Sequence, residues 1–217
     1  MNRTLDVIDP PATKALTTVE RVMMESIIFA GADPQLIQAK ILEASSDIGL
    51  RVEPTLFNET VIESFFRDPC EYWEEWLNLS IWPVKSIASV VVDGVEIDLG
   101  QVRIDIERRR LRRWTQPGYF GVPYGWGFST SVQIAYTGGY LLPGEVGRDL
   151  PPALEGACID LVSSYWHSRG RDPTLRAETN TGVYEFQYWT GAQGEQGSLP
   201  AIVEQKIYPF KCKPFVW

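Results

Sequence analysis

The sequence predicts an α+β fold in which helices, two N-terminal, one long central and one short C-terminal, pack with a small antiparallel β-sheet. Three observations carry that expectation. Apolar residues recur at a helical period near both ends, β-branched and aromatic residues dominate 52–136, and an Asp-Gly pair separates two apolar strands in that stretch. With 217 residues, 44% of them apolar and 22% charged, the chain has the composition of a globular protein with one sizeable core.

Residues 1–16 read as a flexible, proline-containing N-terminal segment, 17–210 as a single domain and 211–217 as a C-terminal arm. The domain opens at Thr17-Thr18-Val19-Glu20, whose T-x-x-E spacing lets the Thr17 hydroxyl cap the Glu20 amide while the carboxylate reaches back. Val19, Val22, Met23, Ile27 and Ala30 follow at helical spacing, and Gly31 ends the run. Asp33-Pro34 then starts a second helix, aspartate as cap and proline at the first position, with Ile37, Ile41, Ala44 and Ile48 on one face.

Strands are expected over 60–66, 77–82, 87–92, 101–114 and 131–136. Asp93-Gly94 between "SVVV" and "VEIDL" is a hairpin signal, because both central positions of a type I′ turn need positive φ. Gly138 and Gly139 in "YTGGYLLPG" turn the chain toward the longest periodic segment, in which Leu154, Ala157, Cys158, Leu161, Val162, Tyr165 and Trp166 fit the full helical template. His167 and Arg169 suit the dipole at its end, and Gly170 can close it. "VYEFQYW" is a further strand candidate, and "SLPAIVEQKIYPF" a short helix stopped by Pro209.

Net charge is −8 and the pI is near 4.8, so the chain as a whole repels a phosphate backbone, and any contact with nucleic acid must be local. No window nears the roughly eighteen apolar residues of a membrane span, and Met1 to Thr18 lacks a basic region followed by an apolar run, so a cytoplasmic setting is expected. Cys70, Cys158 and Cys212 form neither a disulfide framework nor a zinc pattern, and no metal or cofactor is expected. Eight tryptophans are many for one core, and Trp73, Trp76, Trp189 and Trp217 sit in polar surroundings, as at a surface that buries against a partner.

Catalytic constellations are thin. His167 is the single histidine, so any triad or histidine metal site has one candidate base or ligand, and a structural cation at a helix end explains it as well. Glu71, Glu74 and Glu75 beside Trp73 and Trp76 are too close in sequence to face one another across a sugar. The glycines of "TGGYLLPG" lack the spacing, and the following lysine, of a phosphate loop. The sharpest charge run is "ERRRLRRW", which as one strand places Arg108, Arg110 and Arg112 on one face and Arg109 and Arg113 on the other. Such a face serves a partner contact or pairs with the chain's own carboxylates.

Taken in order, "LTTVERVMME", "LIQAKILEASSDIG", "LNLSIWPVKSIASVVVDG", "VQIAYTGGYLLPG", "DLPPALEGACIDLVSSYWHSRG" and "GSLPAIVEQKIYPFK" resemble the head-tail connector, or adaptor, proteins of tailed bacteriophages and gene transfer agents. The resemblance covers nearly the whole chain and rests on order and spacing; 179–197 looks particular to this protein, and 52–76 matches loosely.

The resemblance implies a structural virion protein without enzymatic activity. It would assemble in the host cytoplasm and sit in the virion neck as a homo-oligomeric ring of about twelve copies. That ring would dock under the portal protein after DNA packaging and offer the attachment site for a downstream stopper or tail protein. DNA would pass through the lumen without sequence-specific binding, and an acidic lumen wall would avoid holding it. Expected partner contacts are Arg108, Arg110 and Arg112, with Lys211, Lys213, Phe215 and Trp217 of the basic, aromatic arm "KCKPFVW". Two rival readings stay open: a carbohydrate-binding or tail-associated module whose tryptophans stack on sugars, and a small phage-encoded enzyme using His167.

Overall fold

Alternation of buried and less buried residues over 131–138 marks the strand at the centre of a sheet: Val132, Ile134 and Tyr136 point to the core while Gln133 and Thr137 point away. The computed structural model describes residues 2–11, 13–52, 56–67, 76–106, 108–113, 126, 129–169, 177–180, 184–187 and 199–211. These divide into two units, 1–13 with 54–141 and 14–53 with 142–217.

The first unit is built on β1 (Asn2–Asp9), β2 (Glu59–Phe66), β3 (Leu77–Asn78), β4 (Val84–Val92), β5 (Val95–Ile97), β6 (Val102–Asp105), β7 (Arg110–Arg113) and β8 (Ser131–Gly138). Five strands form one sheet in the order β1-β2-β8-β4-β5, with every pair antiparallel. The other three form a second antiparallel sheet, β3-β7-β6. Val61 and Phe65 of β2, Val90 of β4 and Ile134 of β8 share one core with Leu77, Leu111 and Trp126. The Asp93-Gly94 turn joins β4 to β5 with φ of 48° and 80°, the positive values its sequence requires.

A carboxylate is buried in this core with both oxygens hydrogen-bonded. Glu63 has no solvent exposure, but Oε1 accepts from the Ser80 hydroxyl at 2.6 Å, and Oε2 accepts from the Ser80 N–H at 3.0 Å and the Tyr136 hydroxyl at 2.8 Å.

The second unit holds α1 (Val19–Glu25), α2 (Pro34–Val52), α3 (Pro152–His167), α4 (Ala201–Ile207) and the antiparallel pair β9 (Ala177–Asn180) and β10 (Tyr184–Gln187). Thr18 caps α1, its hydroxyl accepting from the Arg21 N–H at 3.3 Å; the cap thus falls one residue beyond Thr17, which is buried and donates to Glu155. The Asp33 carboxylate accepts from the Gln35 N–H at the start of α2, as its sequence requires. Ile37, Ile41, Ala44 and Ile48 of α2 are fully buried, as are Leu154, Ala157, Cys158, Leu161 and Val162 of α3. The two helices meet where Ser45 Oγ lies 3.5 Å from Cys158 Sγ. Among the described residues no helix is long and apolar enough to cross a membrane.

The expected arrangement of two N-terminal helices and a long central helix on a small sheet is therefore not what forms. Among its described residues the first unit is mostly β, with eight strands in two sheets. Residues 2–9, read as loose, pair with β2, and 101–114 folds back into two strands because Arg109 turns the chain at φ 44°. Among the described residues the longest helix is the N-terminal α2, with 19 residues to 16 in α3, and α1 stops after 7 where Ser26 becomes extended.

Candidate functional site

The arginine-rich run builds a hairpin. Asp105 pairs with Arg110, Ile104 with Leu111, Arg103 with Arg112 and Val102 with Arg113 across β6 and β7. Because side chains alternate along a strand, Arg103, Asp105, Arg110 and Arg112 share one face; Leu111 and Val102, on the other, are buried in the core. The buried pair anchors the hairpin and leaves the charged face free to act.

The turn between the strands is locked by Asp105. Its carboxylate accepts from the Arg108 N–H at 3.2 Å and from Arg110 Nε at 3.1 Å, and the Arg109 N–H donates to the Ile106 carbonyl. Slight desolvation pushes the Asp105 carboxyl up, but the Arg110 hydrogen bond, the Arg108 N–H and both positive charges outweigh it and hold it below the ordinary carboxylate value. Asp105 is thus a fixed anion and a poor proton carrier.

Trp76 completes the face. β3 pairs Asn78 with Arg110 and Leu77 with Leu111, so the residue before it comes level with Arg112. The guanidinium carbons of Arg110 and Arg112 lie 4.3 and 4.7 Å from the Trp76 ring centroid, within cation–π range. Trp76, Arg103, Ile104, Asp105, Ile106, Arg108 and Arg110 line an open cleft of about 500 Å³. Among these described residues there is no nucleophile; the cleft can receive an anion and cover an apolar group.

Of the residues expected to touch partners, Arg110 and Arg112 do share a strand face. Arg108 does not lie in the strand with them: it sits exposed in the turn, beside the partly buried Arg109. Lys211 belongs to the second unit and pairs with Glu204, while Lys213, Phe215 and Trp217 lie outside the described residues. So do Glu71, Trp73, Glu74, Glu75, Trp189, Cys70 and Cys212. His167 ends α3, exposed to solvent. Among the described residues no group of three or more His, Cys, Asp or Glu could hold a metal.

Gly138 ends β8 and Gly139 bends the chain, and neither forms a phosphate cradle. The Gly139 N–H donates to the Pro83 carbonyl and the Tyr140 N–H to the Leu56 carbonyl, each at 2.8 Å, so the amides that would greet a phosphate are already used.

Sequence reasoning missed Arg103, Asp105 and the reach of Trp76 into the arginine row. The signal was in the register: once 106–109 is a turn, Arg103 must oppose Arg112 and Asp105 must oppose Arg110.

No protein-family model matches the sequence, and no curated protein is similar to it at a significant level. Solved structures are similar in fold. A chain in the neck of a native GTA particle computed with C12 symmetry has a TM-score of 0.57 at 15% identity, covering 98% of this chain and 97% of its own. One in the neck of an empty GTA particle computed with C6 symmetry has a TM-score of 0.58 at 18% identity, over 98% and 97%. One in the virion of a native gene transfer agent particle reaches 0.57 at 15% identity, over 100% and 98%. The chain therefore has the fold of proteins found in GTA necks and virions, matched end to end.

Proposed function

We propose that this chain is a structural subunit of a virion neck, a head-tail connector that assembles as a ring beneath the portal and receives the next connector or tail component. One observation carries the reading: the fold follows neck chains of GTA particles over 98% of this chain and 97% of theirs, so the likeness runs along the length of both chains. The ordered sequence segments that resemble the connector family support it independently.

The neck particles computed with C12 and C6 symmetry support a cyclic assembly. A cyclic ring closes through heterologous contacts, so each subunit needs two different faces that complement each other. The described surface offers no catalytic set, and its built feature is the arginine–tryptophan hairpin, a residue combination enriched at interfaces. The C-terminal arm, 211–217, is the segment we assign to the portal, and the acidic balance of the chain suits a lumen through which DNA slides.

Immunogold labelling of intact tailed particles tests the role. Gold confined to the head-tail junction supports a neck subunit; gold on the capsid or tail fibre, or no gold on particles, removes it.

A further inference from the structure

β1 ends the five-stranded sheet with β2 as its one strand neighbour. Only alternate residues of an antiparallel strand bond to a given neighbour, so half of the β1 N–H and C=O groups point away from β2. Among the described residues, no backbone hydrogen bond from a turn or loop reaches 2–9. Such an edge pairs with a further strand unless it is short, bulged, or interrupted by lysine or proline.

The other sheet edges carry those devices. β5, β3 and β6 have three, two and four residues, β9 and β10 four each, and the stretch of β4 beyond β5 contains Lys85 and two register shifts. β1 has eight residues, neither lysine nor proline, and a regular register from Asn2 to Val7. Its inward face is also unfinished: Leu5 packs against the core only partly buried, and Val7, opposite the buried Val61, is 46% exposed.

The sequence of β1 selects the occupant. Laid antiparallel on itself about a two-fold axis at Leu5, it sets Leu5 against Leu5, Arg3 against Val7 and Thr4 against Asp6 of the second copy. No like charges meet, the Thr4 hydroxyl can donate to the Asp6 carboxylate in both halves, and the Arg3 stem covers Val7. An axis one residue later sets Asp6 against Asp6, and one residue earlier leaves Val7 beyond the paired stretch.

We infer that β1 is a docking strand for a second copy of this chain, paired β1 to β1 about Leu5 so that two five-stranded sheets join edge to edge. The contact is isologous, so it is not one of the heterologous contacts that close a cyclic ring; it shields the edge of the chain outside a ring.

The experiment uses the full chain in a Cys70→Ser, Cys212→Ser background, oxidised and run on a non-reducing gel. Opposed Cα atoms lie about 4.5–5.5 Å apart, so Leu5→Cys should form a disulfide-linked dimer. The two copies of residue 7 lie four residues out of register, about 13 Å apart, so Val7→Cys should stay monomeric although Val7 is the more exposed. Equal cross-linking of both variants, or of neither, overturns the inference. Sedimentation equilibrium up to about 0.5 mM, with otherwise wild-type chain, reads the register independently of cysteine chemistry. Thr4→Lys, facing Asp6, should tighten the dimer about fivefold, and Thr4→Asp should weaken it about fivefold. The same two charges at Val146, 98% exposed in a loop, should leave it unchanged. A wild type with no dimer, or Thr4 variants that shift it in the same direction or not at all, also overturns the inference. Each of these outcomes leaves the ring reading standing, because its contacts are of the other kind.

Discussion

A Cβ atom placed on Gly139 would lie 2.0 Å from the carbonyl oxygen of Phe57 and 2.4 Å from its carbonyl carbon, so backbone occupies the space any other residue would need. Gly139 also holds φ at +94°, which L residues resist. Gly139→Ala should therefore destabilise the fold by about 2–4 kcal/mol through strain and displacement of the 56–58 segment. Urea denaturation measures it, and a midpoint equal to wild type contradicts the close approach.

The buried Glu63 depends on Tyr136. Burial, then the neighbouring carboxylate, pushes the Tyr136 hydroxyl well above its ordinary pKa, so it stays a donor to Glu63 while accepting from the Ile81 N–H at 3.1 Å. Tyr136→Phe leaves both groups short of a partner inside the core. A loss of about 1–3 kcal/mol is expected, seen as a lower denaturant midpoint at unchanged slope. An unchanged midpoint means water or other groups replace the hydroxyl.

Asp93 links the β4–β5 turn to the start of β8. Its Oδ1 accepts from the Thr130 N–H and hydroxyl at 2.8 and 2.7 Å and from the Ser131 N–H at 2.8 Å. Slight burial pushes its pKa up, but these bonds outweigh that and hold it below the ordinary 3.8. Its contribution is therefore complete above about pH 5 and lost as pH falls through the lowered folded value. Asp93→Asn should flatten the fall in stability between pH 5 and pH 3; an identical acid limb for wild type and variant would rule the linkage out.

Cys158 is sealed between α2 and α3. Burial pushes its thiol up to about 12, the Glu155 charge raising it further and the Ser45 hydrogen bond only partly offsetting this. The thiol is therefore almost wholly protonated at pH 8. In a Cys70→Ser, Cys212→Ser background, a disulfide reagent should modify Cys158 only as fast as the protein opens. Labelling at the rate of an exposed thiol would contradict the packing.

Removing Lys211 to Trp217 should leave melting of the fold unchanged within about 1 kcal/mol, because terminal segments carry few core contacts, while abolishing attachment to portal-bearing heads. Co-sedimentation with such heads is the readout, and undiminished attachment would reassign the arm.

How much of this was legible depended on how local the cause was. The Asp93-Gly94 turn, the Asp33 cap and the buried stripe of α3 each follow from a few neighbouring residues, and the structure has all three. The three-stranded sheet was not legible, since the break before Arg110 needs Arg109 in a conformation that its type rarely adopts, held by the Asp105 bonds to its neighbours and by its own N–H to the Ile106 carbonyl. β1 escaped notice for a different reason: it is exposed along most of its length, so no apolar alternation marks it, and its pairing with β2 alone defines it. The cleft inherits both problems, because Trp76, Arg103 and Arg108 meet only after register and turn are set.

The ring itself is the most direct test of the central claim. Electron microscopy of the full chain bound to portal-bearing heads should reveal a closed ring of this fold beneath the portal, with cyclic symmetry related to the C12 and C6 of the GTA necks. A chain that stays monomeric and leaves the portal bare would contradict it.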